Sequence, residues 1–301
     1  MRIRTAGRIN KHLWQLGREE SCVYLLEGSK SSAIISGGIN YIIPDVLQQI
    51  KQFGIEPMKI GHIIILHAHF DHVGIVPFFK RNWPRLTVYA SPRGCEVIAK
   101  PMVIETFNKY SNLITGQLLG QMKNMSLWDW EWRDDIKGVS LAEGEKIDLG
   151  NLTIEIFETP GHSSCSISAY VPELQALFPS DAAPIPYRDK MIVAANSNFT
   201  HYQKSLEKLV KLKVKMLGAD HYGHVIDDEA VNYIGASIDE AGAMRSKLEN
   251  ILKKLGSIDQ AAQFYLDDFY KKNNDYLITQ DIMIGTYRQT MKHLAANMSS
   301  D

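Results

Sequence analysis

The chain has 301 residues, 45% of them hydrophobic and 22% charged, with a formal net charge of −1 at pH 7. That length allows one large domain or two small ones with a sizeable core, and the near-neutral charge argues against a dedicated nucleic-acid surface. No run is long and apolar enough to span a membrane, the basic Met1–Gly17 stretch lacks the apolar segment of a secretory signal, and Cys22, Cys95 and Cys165 are too scattered for a disulfide framework, so a cytoplasmic protein with its cysteines as small buried hydrophobes is expected.

Residues 1–37 read as strands. Cys22-Val23-Tyr24-Leu25-Leu26 and Ala33-Ile34-Ile35 are β-rich runs with a turn at Glu27-Gly28-Ser29-Lys30 between them, and Gly37-Gly38 breaks the second. Over residues 44–53 the period changes. Val46, Leu47, Ile50 and Phe53 share one helical face, with Pro44 near its start and Gly54 past its end. Ile63 to Leu66 is a continuous apolar run of strand length, and within a few residues it becomes His67-Ala68-His69-Phe70-Asp71-His72. A buried strand ending in imidazoles and a carboxylate delivers metal ligands to its carboxyl end. His67 and His69 are two apart and point to one side of an extended chain. Asp71 and His72 are adjacent, at the start of a helix predicted over Asp71–Phe79, and cannot share a helical face with that pair. The arrangement suits two neighbouring metals better than one. Imidazole with carboxylate favours zinc, iron or manganese over calcium or magnesium. The bland alternative is a surface histidine cluster, and the strand-to-helix context speaks against it.

Leu86 to Tyr89 is the next strand, and strand–helix–strand–helix–strand signals α/β layering. Residues 96–127 read as a helical insertion. In Trp128-Asp129-Trp130-Glu131-Trp132 the tryptophans alternate, giving an extended segment with one aromatic face. Packing under the inserted helices is the commoner meaning, and a wall of a substrate pocket is the functional one. Strands resume at Val139–Leu141 and Leu152–Phe157, the latter ending in Thr159-Pro160-Gly161-His162-Ser163. The strand Ser166–Val171 follows, then Ala176–Phe178, which ends in Pro179-Ser180-Asp181. Thr200 to Gln203 reads as a capping box opening a helix with Leu206, Leu209 and Val210 inward, and the lysines of 204–215 as a solvated face. Val214 to Gly218 then runs into Ala219-Asp220-His221-Tyr222-Gly223-His224. From about residue 228 the pattern is helical. Val231, Ile234, Ile238, Ala241, Met244, Leu248, Ile251 and Leu255 hold a three–four spacing that Gly256 stops, Ser257 caps a second helix, and Met283, Tyr287, Met291 and Leu294 mark a third.

Histidines and aspartates thus recur just past strand ends. In order and context, His67-x-His69-x-Asp71-His72, the Pro160-Gly161-His162-Ser163 loop, the Asp181 loop and the His221 loop resemble the metallo-β-lactamase superfamily over about residues 20–226. The resemblance implies an α/β fold, an αββα sandwich, over about 1–227 with the insertion at 96–127, and an all-helical extension over 228–301 packed near the site. It implies one metal held by His67, His69 and His162, a second by Asp71, His72 and His221, and Asp181 bridging both. His224 is the rival to His221. Some positions depart from the common pattern: Ser180 stands where a glycine usually precedes the bridging aspartate, Ser36-Gly37 where an aspartate is frequent, and Cys165 where glycine is frequent. The helical tail is similar to that of the quinolone-signal response thioesterase subgroup. The hydroxyacylglutathione hydrolases share the ligands, but their glutathione-binding pattern is not seen.

The expected cofactors are therefore two divalent transition-metal ions, zinc or iron or manganese, and the expected partner is a small-molecule substrate, with the tail also offering a homodimer surface. Metals about 3.5–4 Å apart lower the pKa of a bridging water towards ~7, and the hydroxide so formed attacks an electrophilic carbonyl or phosphorus, with Asp71 and Asp181 as the catalytic carboxylates. Thioester or other ester hydrolysis ranks first, phosphodiester hydrolysis or lactone opening second. A di-iron redox or dioxygen-binding protein usually carries a carboxylate where His69 stands, and a regulatory protein with a residual site would not keep the full ligand set.

Overall fold

The computed structural model describes residues 1–119 and 128–298, side chains at 117–119 excepted. In chain order the first half comprises β1 (Arg2–Ile3), β2 (Gly7–Asn10), β3 (Leu13–Gly17), β4 (Cys22–Glu27), β5 (Ser32–Ile35), α1 (Ile43–Gln52), β6 (Ile60–Ile64), α2 (Val76–Asn82), β7 (Thr87–Ala90), α3 (Pro92–Ile98), α4 (Pro101–Leu119) and β8 (Val139–Ser140). The second half comprises β9 (Lys146–Asp148), β10 (Thr153–Glu158), β11 (Ile167–Val171), β12 (Ala176–Phe178), α5 (Phe199–Leu209), β13 (Met216–Gly218), β14 (His224–Ile226), α6 (Asp227–Leu255), α7 (Ile258–Lys272) and α8 (Gln280–Met298). The strands form two seven-stranded sheets, ordered β2-β3-β4-β5-β6-β7-β8 and β1-β14-β13-β12-β11-β10-β9.

The apolar strands are long enough to bury both faces, and their alternation sorts the side chains into layers. Tyr24, Leu26, Ile35 and Ile64 from the first sheet meet Ile154, Ile156, Ile167 and Phe178 from the second in the cleft between them. The intervening Val23, Leu25, Ile34 and Ile63 face outward under α1 and α2, together with Phe107 of α4. On the other outer face Leu177, Leu217 and Val225 pack beneath α5 to α8 through Leu206, Tyr233, Leu266 and Leu294. The result is the expected four-layer αββα sandwich with an all-helical C-terminal region. Parallel pairing of β5 with β6 and of β12 with β13 sets strand carboxyl ends side by side. Two antiparallel steps, β10 to β11 and β11 to β12, bring β10 into the same direction as β12.

Several elements differ from the sequence expectation. The helix predicted over Asp71–Phe79 is instead a 3₁₀ turn at Phe70–His72 followed by α2. The chain between them docks on the turn after β5: Gly74 N–H donates to Gly38 O at 2.7 Å and Ile75 N–H to Gly37 O at 2.9 Å. A Cβ on Gly74 would lie 2.2 Å from the Asn40 nitrogen, so only glycine admits this approach. Helix α5 is capped by Asn198, whose side chain accepts from His201 N–H, and not by Thr200; Val210 is 43% exposed. In the tail the three–four pattern holds from Ile234, but Val231 points to solvent. Gly256 ends α6 in the left-handed region, and Ser257 caps α7 as expected. Residues 96–98 and 101–119 are helical, in α3 and α4, and the rest of the expected insertion, 120–127, lies outside the described residues. Among the described residues no helix is long and apolar enough to cross a membrane. Cys22, Cys95 and Cys165 are free, and Cys22 and Cys165 are buried.

Candidate metal centre

Ligand-type side chains from four loops meet at one edge of the sandwich. His67, His69, Asp71 and His72 follow β6, His162 follows β10, Asp181 follows β12, and His221 lies between β13 and β14. Their donor atoms form three groups, each within 4.8 Å: His67–His69–His162, His67–His72–Asp181 and Asp71–His72–His221. Asp181 Oδ2 lies 3.4 Å from His162 Nε2, 3.3 Å from His72 Nε2 and 4.0 Å from His221 Nε2, so it reaches both of the expected sets. Asp71 Oδ2 is 3.5 Å from His72 Nε2 and 3.6 Å from His221 Nε2.

The outward nitrogen of most of these rings is pinned. His162 Nδ1–H donates to Ala194 O at 2.7 Å, His221 Nδ1–H to Glu20 O at 2.7 Å, His72 Nδ1–H to Asp220 Oδ2 at 2.8 Å and His67 Nδ1–H to Ser180 Oγ at 3.1 Å. Each acceptor fixes the tautomer and turns Nε2 towards the centre. There His67 Nε2 is buried without a hydrogen-bond partner. His162 Nε2 faces His69 Nδ1 at 2.9 Å, and His221 Nε2 faces His72 Nε2 at 3.1 Å. Ring nitrogens and carboxylates crowded together, and an orphaned buried nitrogen among them, are what a cation at the centre satisfies, so the residues fit a metal.

Charge agrees with geometry. Burial pulls His67, His69 and His162 below the usual imidazole range, with neighbouring rings adding to it, and His69 falls to about 3. Burial opposes charge on His72 too, but the Asp71 and Asp181 carboxylates outweigh it and hold the ring above its usual range. Burial likewise opposes ionisation of Asp71 and Asp181, and the facing imidazoles, His72 foremost, outweigh it. Ionised carboxylates among mostly neutral imidazoles are a donor set for divalent transition metals.

The rival His224 sits in β14 with Nδ1 2.6 Å from Gln15 Oε1 and belongs to none of the groups. His12, His62, His201 and His293 are also outside them. Sequence reasoning missed Asp220, which takes hydrogen bonds from His72, Ser36 and Ser180. Its partners are remote in sequence, and the only signals were its place beside His221 and the two serines at unusual positions.

A cavity of about 540 Å³ opens onto the cluster, exposing His69, Asp71, His162, Asp181 and His221. Val97, Val103, Phe107 and Tyr110 form one wall, and Ile185, Ile192 and Val193, unforeseen from the sequence, form another. The tail supplies Phe269, Tyr276, Ile282, Met283 and Tyr287. It is fastened to the segment after Asp181, where Asp275 accepts from Tyr187 Oη–H and Arg188, and to the His221 loop, where the Tyr276 ring lies 6.3 Å from that of Tyr222. The pocket reading of the tryptophans is overturned. None of Trp128, Trp130 and Trp132 lines the cavity. Trp132 is buried against Phe107 with Nε1–H donating to Val73 O at 3.0 Å, and Trp128 packs on Phe78. Phe264 is 52% exposed, and Met291 is buried within the helical layer.

An αββα sandwich with a histidine–aspartate cluster at one edge defines a metallo-hydrolase class of protein. The chain belongs to the metallo-beta-lactamase superfamily, whose family model matches residues 16–221. It is 27% identical over 218 residues to the metallo-beta-lactamase fold-containing protein ST1585 of Sulfurisphaera tokodaii, covering 69% of this chain and 74% of that protein. It is 26% identical over 151 residues to the probable metallo-hydrolase YqgX of Bacillus subtilis, covering 44% of this chain and 53% of that one. Among solved structures, the metallo-beta-lactamase family protein TTHA1429 of Thermus thermophilus superposes with a TM-score of 0.67 at 15% identity, covering 96% of this chain and 95% of that one. That match necessarily extends into the helical tail.

Proposed function

We propose that the protein is a dinuclear metal-dependent hydrolase of acyl thioesters or other esters whose acyl part is apolar or aromatic. The cavity carries this reading: its floor is the ligand cluster, and its walls are mostly apolar. No lysine or arginine is among the described residues that line it, which disfavours a bare phosphodiester as the group held there. The lysines of 204–215, an attractive contact for a phosphorylated leaving group, do not line it either.

His67, His69 and His162 would hold one ion, Asp71, His72 and His221 the other, with Asp181 between. Two divalent transition ions held there would supply an activated water and an electrophile for the carbonyl oxygen. Asp71 and Asp181, kept ionised by the imidazoles around them, would orient that water. Phe70, Tyr110 and Tyr287 would hold the acyl group against the cluster and exclude bulk water. The tail would act as a fixed lid that selects among acyl groups. Ser163 is not set up as a nucleophile, since its hydroxyl bonds to Ser166 and Cys165 and to no histidine.

The test is kcat/KM on an aromatic acyl thioester, a medium-chain acyl thioester, a lactone and a bis-aryl phosphodiester, with the metal fixed. Thioester hydrolysis should be measurable and lost in His69→Ala and in metal-free protein. Phosphodiester turnover roughly two orders of magnitude faster than every thioester and lactone would overturn the acyl reading.

A further inference from the structure

We infer that Asp220 is the positioning residue of this centre, a single carboxylate oxygen that orients one histidine from each of the two ligand sets. The inference rests on the metal-centre reading above. Asp220 lies in the loop between β13 and β14 and is 2% exposed. Its Oδ2 accepts from His72 Nδ1–H at 2.8 Å, from the Ser36 hydroxyl at 2.8 Å and from the Ser180 hydroxyl at 2.5 Å. Because the Ser180 hydrogen is committed to Asp220, its oxygen is free to accept from His67 Nδ1–H at 3.1 Å. Two chains of donors therefore end on one atom, one from His72 directly and one from His67 through Ser180. Oδ2 accepts all three bonds, which sets the direction of every hydrogen in both chains. Both rings donate through Nδ1 and turn Nε2 to the centre. In the proposed arrangement His67 is held with His69 and His162, and His72 with Asp71 and His221, while the two rings also share a group with Asp181, so Asp220 acts on both sets at once.

The surroundings are built for this. The loop is held from beneath by the Tyr24 hydroxyl, 2.7 Å from Ala219 O and 2.9 Å from Gly223 O, and by Cys22 N–H, 2.7 Å from Asp220 O. Ser36, Ser180 and Tyr222 are kept at φ of 71°, 49° and 62°, a region unfavourable to residues with side chains. Asp220 Oδ1 is buried and unpaired, a penalty that a residue present only for packing would not carry. The two serines that reach Asp220 are among the departures from the family pattern. Where an aspartate is common after the equivalent of β5 this chain has Ser36, and where glycine is usual before the bridging aspartate it has Ser180. The carboxylate enters from the β13–β14 loop, and small hydroxyl residues occupy the positions it would crowd.

Zinc and manganese would be titrated into metal-free wild type, Asp220→Asn, Ser180→Ala, Ser36→Ala and the double variant Ser36→Asp/Asp220→Gly. Affinity and stoichiometry are read by calorimetry, with circular dichroism of the metal-free proteins as the folding check. Asp220→Asn should weaken both binding steps by about 10- to 100-fold. Ser180→Ala should weaken one step and spare the other, Ser36→Ala should spare both, and the double variant should recover most of the affinity lost in Asp220→Asn. A folded Asp220→Asn that binds both ions as tightly as wild type overturns the inference alone. If Asp220→Asn does not fold, equal weakening of both steps or of neither in Ser180→Ala overturns it. Wild-type protein that binds no ion overturns the metal-centre reading, and this inference with it.

Discussion

Replacing Gly161 with alanine should separate the His162 loop from the helix that braces it. Gly161 has φ +137°, and a Cβ there would lie 2.2 Å from the nitrogen, 2.3 Å from the Cα and 2.7 Å from the Cβ of Tyr202. These atoms belong to the first turns of α5, where Tyr202 N–H is bonded to Asn198 O at 3.0 Å and the Tyr202 side chain is fully buried. Gly161 O also accepts from Ser197 N–H at 3.0 Å and Asn198 N–H at 2.9 Å, so loop and helix cannot part without losing both bonds. The backbone conformation costs a side-chain-bearing residue about 1–3 kcal/mol. Forcing a methyl into this contact costs about 1–3 kcal/mol more. We therefore expect Gly161→Ala to lose about 4 kcal/mol in urea unfolding of the metal-free protein. Gly256→Ala is the control: φ is +65°, but nothing lies within 4 Å of the added methyl, so the loss should be about 1–2 kcal/mol. Because His162 is the next residue, the Gly161 variant should also weaken the His67–His69–His162 set first in a metal titration. If Gly161→Ala were no more destabilising than Gly256→Ala, the bracing of this loop by α5 would be refuted.

Protein purified without chelator should carry about two transition-metal ions per chain by elemental analysis, fewer in His67→Ala and Asp181→Ala and the same in His293→Ala; a ceiling of one ion after reloading with zinc, iron or manganese would refute the paired sets. Trp132→Ala should cost about 3–5 kcal/mol while leaving the relative kcat/KM of acyl substrates unchanged, whereas Tyr110→Ala, on the cavity wall, should lower kcat/KM roughly tenfold for bulky acyl groups. Burial pushes His224 down to about 4, below its ordinary 6.5, so the unfolded chain takes up that proton first and the ring's contribution to stability, complete above 6.5, drains away as pH falls towards 4. Urea unfolding of the metal-free protein across that window should show His224→Gln losing stability less steeply than wild type, by up to about 1.4 kcal/mol per pH unit; parallel curves would contradict the assignment.

The sequence was informative wherever a local pattern decides the structure. The apolar run Ile63–Leu66 ending in histidines is both the strand and the delivery of ligands, and one stretch of chain carries both signals. The α/β layering was legible from alternating strand and helix patterns, and the αββα arrangement from the resemblance carried by the four ligand loops. What failed depended on contacts remote in the chain. The helix from Asp71 looked continuous because nothing local announces that Gly74 will press against the turn at Gly38–Asn40. Thr200 looked like a cap because Asn198, two residues earlier, competes by the same chemistry. The tryptophan segment was equally compatible with a pocket wall or a packed face, and only the position of Phe107 and Val73 decides. Asp220 was invisible as a positioning group because Ser36, Ser180 and His72 converge on it from three different loops.

Each ligand set draws from both sheets. His67 and His69 leave the first sheet and His162 the second; Asp71 and His72 leave the first and His221 the second. An ion held by the first set would tie residues 93 apart in the chain, His69 to His162, and one held by the second would tie residues 149 apart, His72 to His221. Ties of that span act on the unfolded chain much as long-range crosslinks do, and neither half of the protein can offer an ion a full set of donors by itself. By mass action the melting temperature should climb with free metal concentration, and metal scarcity would cost the cell the protein as well as its chemistry.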